Sequence, residues 1–176
     1  MAEKYVDIDT LKYLLYDIHN LEELLVRDRF QDHDKESLDM FIDSVKEFAD
    51  RELFPYVKEM DENPAYHKDG KVFVHDQVKT MMYKGGEMGL ISAPFNYEDG
   101  GMQIPFLSHT AATYILDAAN NHLPGYAGLT QGAAELIIHF ANKELNKAYV
   151  PNMLSGQWGG TMCLTEPQAG SSLSDI

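Results

Sequence analysis

The sequence predicts a mainly α chain: a helical bundle followed by the start of a strand. Three observations predict it. Apolar residues recur at helical spacing over five or six stretches between Asp9 and Leu154. Clusters of Gly, Pro, Asn and Asp separate those stretches. From Gln157 the helical period disappears, and "WGGTMCLT" brings in β-favouring residues instead.

The first helix is expected from Asp9 to about Arg27. Leu11, Leu14, Leu15, Ile18, Leu21, Leu24 and Leu25 fall on one face, with Asp9 as N-cap. The charged stretch "RDRFQDHDKES", Arg27 to Ser37, reads as a linker. A second helix places Leu38, Phe41, Ile42, Val45, Phe48 and Ala49 together, and Pro55 bends or restarts it. "NPAYHKDGK" reads as a loop from its turn residues. A shorter helix around Asp76 to Met88 directs Val78, Met81 and Met82 inward and stops at Gly89. "LISAPFNYEDGGMQIP" is irregular because of its two prolines and the Gly100-Gly101 pair. Helices follow from Phe106 to Asn120 and from Leu123 to Ala141. A charged one between Asn142 and Leu154 contains Pro151 and closes at Ser155-Gly156. The strand starting near Trp158 cannot continue as a central strand past Pro167, and a domain boundary falls just before Trp158.

The 176 residues, 44% hydrophobic and 24% charged, suffice for one core, or for one domain and part of a second. No apolar run approaches the ~20 residues of a membrane helix. The N-terminus has neither a signal-peptide nor a transit-peptide profile. The single cysteine fits a reducing compartment and predicts a cytoplasmic protein. A formal net charge of −14 argues against broad binding to nucleic acid or anionic membranes. It leaves room for a phosphorylated ligand held by backbone amides.

Seven histidines raise the question of metal. No carboxylate stands three residues before any of them, so the Glu-x-x-His pairs of a di-iron bundle are missing and no metal is expected. Cys163, in the middle of the expected strand, reads as a buried, inert thiol. Gly125, Gly128 and Gly132 recur on one helical face, where glycine costs helix stability. Such a stripe admits close approach by a neighbouring helix or by a ligand, and both readings stand. After Thr165, the amides of Ala169, Gly170 and Ser171 are placed to converge on an anion. Spacing by itself favours an ordinary turn there.

"MCLTEPQAGSS", Met162 to Ser172, resembles the signature C-x-T-E-P-x-A-G-S-D of the flavin-dependent acyl-CoA dehydrogenases. It departs at Ser172, where the family usually has Asp. "FADRELFPYVKEMD" resembles the family's first core helix. "MGLISAPFNYEDGGM" resembles its G-L-x-x-x-P-x-x-Y-G-G-x loop, with Glu98-Asp99 inserted before the glycines. "NKELNKAYVPNMLSGQWGGT" resembles its E-x-Q-K-x-x-Y-L-P-x-L-x-S-G-x-W segment without the Gln. The leucine-rich start resembles the N-terminal extension of longer bacterial members, the group of the methylmercaptopropionyl-CoA dehydrogenases.

The resemblance implies three parts. Residues 1–34 would be an N-terminal helical extension and linker, 35–156 the helical N-terminal domain, and 157–176 the start of a truncated middle β-domain. It implies FAD as cofactor, an acyl-CoA thioester as substrate, an electron-transfer flavoprotein or similar acceptor as partner, and a homo-oligomer. Met162, Cys163, Leu164 and Thr165 would flank the isoalloxazine, with the Thr165 hydroxyl bonded to the ring. Ser171 would lie near the FAD pyrophosphate and the pantetheine arm. Gly125 and Gly128 would wall the acyl cavity. The family's catalytic glutamate matches no residue here and is expected beyond Ile176, so the chain reads as an N-terminal fragment that is inactive alone. An acyl-CoA oxidase of the same fold and a non-catalytic helical interaction module are the alternatives.

Overall fold

The computed structural model describes residues 5–172 and Ser174. Asp7, rather than the expected Asp9, caps the first helix, α1 (Ile8–Tyr13), accepting from the Thr10 amide at 3.0 Å. The helix widens into a π turn at Leu14–Ile18 and stops at Asn20, whose φ is +49°. A short α2 (Glu22–Leu25) follows. The expected continuous helix is therefore broken. The π turn adds a residue to its turn and rotates the apolar face. Leu15 and Leu21 are buried, whereas Leu14, Ile18 and Leu24 are exposed.

The linker is tied down and shorter than expected, because α3 (Lys35–Phe48) starts inside it. Asp34 and Ser37 form a reciprocal capping box. Within the linker, the Arg29 guanidinium donates to the Asn96 side chain and to the Pro94 carbonyl. The Arg29 carbonyl accepts from Gln103, and the His33 ring pairs with the Met102 carbonyl at 2.9 Å. The N-terminal segment is thus fastened to the irregular loop at 92–104.

From α3 the core is built by Leu38, Ile42, Val45 and Phe48. The chain then passes through a π turn (Ala49–Leu53) and a 3-10 turn (Phe54–Tyr56) into α4 (Val57–Glu62). Pro55 explains the restart, since it has no N–H to continue the ladder. The buried Asn120 amide donates to the Leu53 carbonyl at 3.0 Å at this break.

"NPAYHKDGK" is not a plain loop. β1 (Tyr66–Lys68) and β2 (Lys71–Phe73) form an antiparallel hairpin pairing Tyr66 with Phe73. Asp69 and Gly70 both have positive φ, +51° and +76°, as a two-residue type I′ turn requires. The Asp-Gly pair was the signal for it.

The remaining helices are α5 (Gln77–Glu87), α6 (Phe106–Asn120), α7 (Pro124–Phe140) and α8 (Lys143–Leu154). Gly89, at φ +78°, ends the turn after α5, as its position in the sequence predicts. Asn142 caps α8 through the amides of Glu144 and Leu145. Among the described residues there are eight α-helices, more than the five or six expected, because the leucine-rich stretch and the Pro55 region each divide. No helix among the described residues is long and apolar enough to cross a membrane.

The expected strand over Trp158–Thr165 is not formed. Those residues carry no regular structure, and a single isolated bridge pairs Glu166 with Ala169. A strand needs an edge to pair with, and among the described residues no strand pairs with this segment.

Candidate functional site: the face of α7 and the segment crossing it

Two close backbone approaches decide where the chain goes after α8. A Cβ on Gly86 of α5 would lie 2.3 Å from the Ser155 carbonyl oxygen, and one on Gly156 would lie 1.9 Å from that of Met82. Gly156 also has φ +73°. Only glycine allows α5 and the end of α8 to meet there. The Trp158 amide returns to the Asn152 carbonyl at 3.0 Å, and its ring meets Tyr149 edge-on at 5.6 Å. The chain then crosses α7. The Gly160 amide donates to the Thr130 hydroxyl at 2.9 Å, and that hydroxyl donates to the Tyr126 carbonyl at 2.7 Å. A Cβ on Gly160 would stand 2.7 Å from Ala133 Cβ. Thr130, fully buried, is thus the clasp that ties the segment to α7. Sequence reasoning missed it, though a polar residue on an apolar helix face was a usable signal.

Beyond the clasp, Met162, Cys163, Leu164 and Thr165 are exposed, Met162 at 62% and Leu164 at 46%. Cys163 is therefore exposed rather than buried, because the strand meant to enclose it does not form. The Thr165 hydroxyl has no partner among the described residues. Glu166 and Ala169 exchange backbone hydrogen bonds at 2.9 and 3.2 Å around Pro167-Gln168. The Ala169 amide is spent in that turn and cannot join Gly170 and Ser171 in holding an anion. Ser171 is exposed, at the end of the same turn.

α7 buries a narrow stripe only, Pro124, Ala127, Thr130 and Ala134. Ala133, Ile137 and Ile138 are half-buried beside it, whereas Tyr126, Leu129, Leu136 and Phe140 are exposed. A Cβ on Gly125, Gly128 or Gly132 would meet nothing within 4 Å. No described atom of a neighbouring helix therefore touches the glycine stripe. Gly128 also lines a cavity of about 90 Å³ with His109, Leu116 and Gln131.

His109 and Gln131 were not anticipated. Gln131 Nε2 donates to the Ile91 carbonyl at 3.0 Å, which directs its Oε1 to His109 Nε2 at 3.2 Å. Nε2 therefore carries the ring proton. Burial lowers the His109 pKa, and the Gln131 bond opposes this without cancelling it, so the ring is neutral. The His109 Nδ1 and Ser108 Oγ atoms are buried without a partner. Among the described residues no three His, Cys, Asp or Glu side chains come together as metal ligands.

The chain is a mainly helical domain with α7 left open along its glycine face. The family model described as "Acyl-CoA dehydrogenase, N-terminal domain" matches residues 35–157, and the chain belongs to that family. It is 34% identical over 109 residues to 3-methylmercaptopropionyl-CoA dehydrogenase of Ruegeria pomeroyi, covering 62% of this chain and 18% of the relative. It is 28% identical over 170 residues to a butyryl-CoA dehydrogenase of Syntrophomonas wolfei, covering 94% of this chain and 28% of the relative. In fold it resembles a glutaryl-coenzyme A dehydrogenase solved with glutaryl-CoA. There the TM-score is 0.66 at 22% identity, covering 82% of this chain and 35% of the other. The chain thus spans about a third or less of the length of these relatives.

Proposed function

We propose that this chain is the N-terminal part of a longer FAD-dependent acyl-CoA dehydrogenase, with residues 157–176 opening its middle β-domain. The reaction is oxidation of an acyl-CoA to the 2,3-enoyl-CoA. One observation carries the reading. The open, glycine-lined face of α7 lies on the same helix to which Thr130 ties Gly160, just before the exposed Met162–Thr165. A helix that leaves Tyr126, Leu129, Leu136 and Phe140 exposed beside its buried stripe expects a partner for them. The large share of the relatives that this chain does not span supplies candidates for that partner.

The residues present fit a flavin. Met162 and Leu164 offer exposed apolar side chains to a flat ring, and Thr165 offers an unpartnered hydroxyl to a polar edge. Bound there, FAD would accept the hydride leaving the acyl β-carbon. Thr165 would hydrogen-bond the ring and stabilise charge developing on it. Ser171 would lie near the pyrophosphate and the pantetheine arm. Gly125 and Gly128 would leave room for the acyl group. The α-proton would be taken by a glutamate outside residues 1–176. An electron-transfer flavoprotein or similar acceptor would remove the electrons, and the enzyme would be a homo-oligomer.

The test is purification of the full-length gene product. It should be yellow, and an acyl-CoA should bleach the flavin without oxygen. Peroxide formation matching turnover in air would assign it as an oxidase instead. A flavin-free full-length protein that leaves acyl-CoA unchanged would overturn the proposal.

A further inference from the structure

We infer that the acyl site runs past Gly128 into two cavities that meet at Gln131, and that it takes long or aromatic-tipped acyl thioesters whose far end rests against Phe30 and Phe106. The inference rests on the acyl-CoA reading above and adds its substrate class.

The first cavity, about 90 Å³, lies between α6 and α7 and includes Gly128 and Gln131 in its wall. A second, about 250 Å³, is lined by Phe30, Phe95, Ile104, Phe106 and again Gln131, with Arg29 and Glu135 as its charged members. Gln131 is the residue the two walls share. Gly128, Gln131 and Glu135 follow one another at spacings of three and four, so they mark one line along α7. At the Gly128 end no side chain closes the line, since a Cβ there would meet open space.

The passage suits an uncharged tail. The amide of Gln131 is occupied at both ends, by the Ile91 carbonyl and by His109 Nε2. His109 is neutral by burial, so no ionised group stands at the partition. Beyond it, Phe30, Phe95 and Phe106 supply aromatic surface of the kind that binds an aromatic or long alkyl end, with the Arg29 guanidinium 5.7 Å over the Phe30 ring. Phe30 belongs to the N-terminal linker, and that linker is anchored to the 92–104 loop through Arg29, His33 and Gln103. The extension therefore builds the far end of the acyl site.

The test uses the full-length enzyme and CoA thioethers that lack the acyl carbonyl and cannot be oxidised. Their alkyl tails are graded in length, and affinity is measured by calorimetry. Each methylene buried in the passage should raise affinity about fourfold, and the gain should continue through long tails. Gln131→Ala should raise the long-to-short affinity ratio, and Gln131→Trp should lower it about tenfold or more. A purely structural role would move both variants the same way, which would overturn the inference. A photoreactive diazirine at the tail end should label residues near Phe30 and Phe106 in the unmodified sequence. If the length gain stops at short tails and the label falls elsewhere, this inference fails while the acyl-CoA reading stands. If no thioether binds, the acyl-CoA reading fails and this inference with it.

Discussion

The α3–α8 bundle and the segment from Trp158 to Ser172 come from one sequence and obey different rules. In the bundle, each helix satisfies its backbone internally, and its side chains pack into a core where Leu38, Val45, Phe48, Ile91, Ile115 and Leu123 are almost fully enclosed. The segment has β-favouring residues but, among the described residues, no strand paired with it. It is held at its start by Trp158 on Asn152 and Tyr149, then by the clasp of Gly160 on Thr130, and beyond that only by its own turn, Glu166 to Ala169. A helix closes its hydrogen bonds from its own residues, whereas a strand depends on another strand. The bundle is where stability resides, and the segment is where chemistry is proposed.

That contrast is broken most sharply by comparing two truncations. Phe48→Ala should cost ~3–5 kcal/mol in chemical denaturation, because it empties a fully enclosed site. Leu164→Ala should cost less than ~0.5 kcal/mol if residues 162–165 stay open as here. A Leu164 cost near that of Phe48 would mean that the segment is enclosed in the full-length protein.

The junction between the regions comes next. Gly156→Ala combines a left-handed φ with a backbone contact to Met82, and should destabilise by ~1–3 kcal/mol. A neutral result would show that α5 and α8 do not meet there. The clasp itself is smaller. Thr130→Val removes the acceptor for the Gly160 amide and should cost ~0.5–1.5 kcal/mol. Hydrogen exchange at Gly160 should accelerate, and unchanged exchange would locate the anchor elsewhere.

In the full-length enzyme, Thr165→Val should leave the fold intact and weaken flavin binding or slow flavin reduction, by an interaction of ~0.5–1.5 kcal/mol. Unchanged affinity, potential and reductive rate together would remove Thr165 from the site. The smallest effect belongs to pH. His109 binds its proton less readily when folded than its ordinary value near 6.5. The unfolded chain is therefore protonated first on acidification. The stability His109 contributes is complete above that ordinary value and is lost as pH falls through it toward the folded pKa. His109→Leu should flatten this part of the stability profile, as a pH series of melting curves would read.

By itself the sequence determined α3 and α5 to α8 and the stops at Gly89 and Gly156. It also carried the family signature around Thr165. Each is local: a helix needs apolar residues three and four apart, a stop needs one glycine free to take a positive φ, and a signature is a string. Tertiary structure decided the rest. The evenly spaced leucines from Leu11 to Leu25 gave no sign that a π turn and Asn20 would split them and expose Leu14 and Ile18. The glycine stripe reads equally as a helix contact or a ligand wall in the sequence, and only the structure shows that the space around Gly128 is open. His109 and Gln131 stand 22 residues apart, and only the packing of α6 on α7 brings them together. Whether "TMCLT" forms a strand depends on a partner edge, and no spacing within the segment can supply one. Residues that act through neighbours distant in sequence leave no local pattern, so the core was legible and the walls of the site were not.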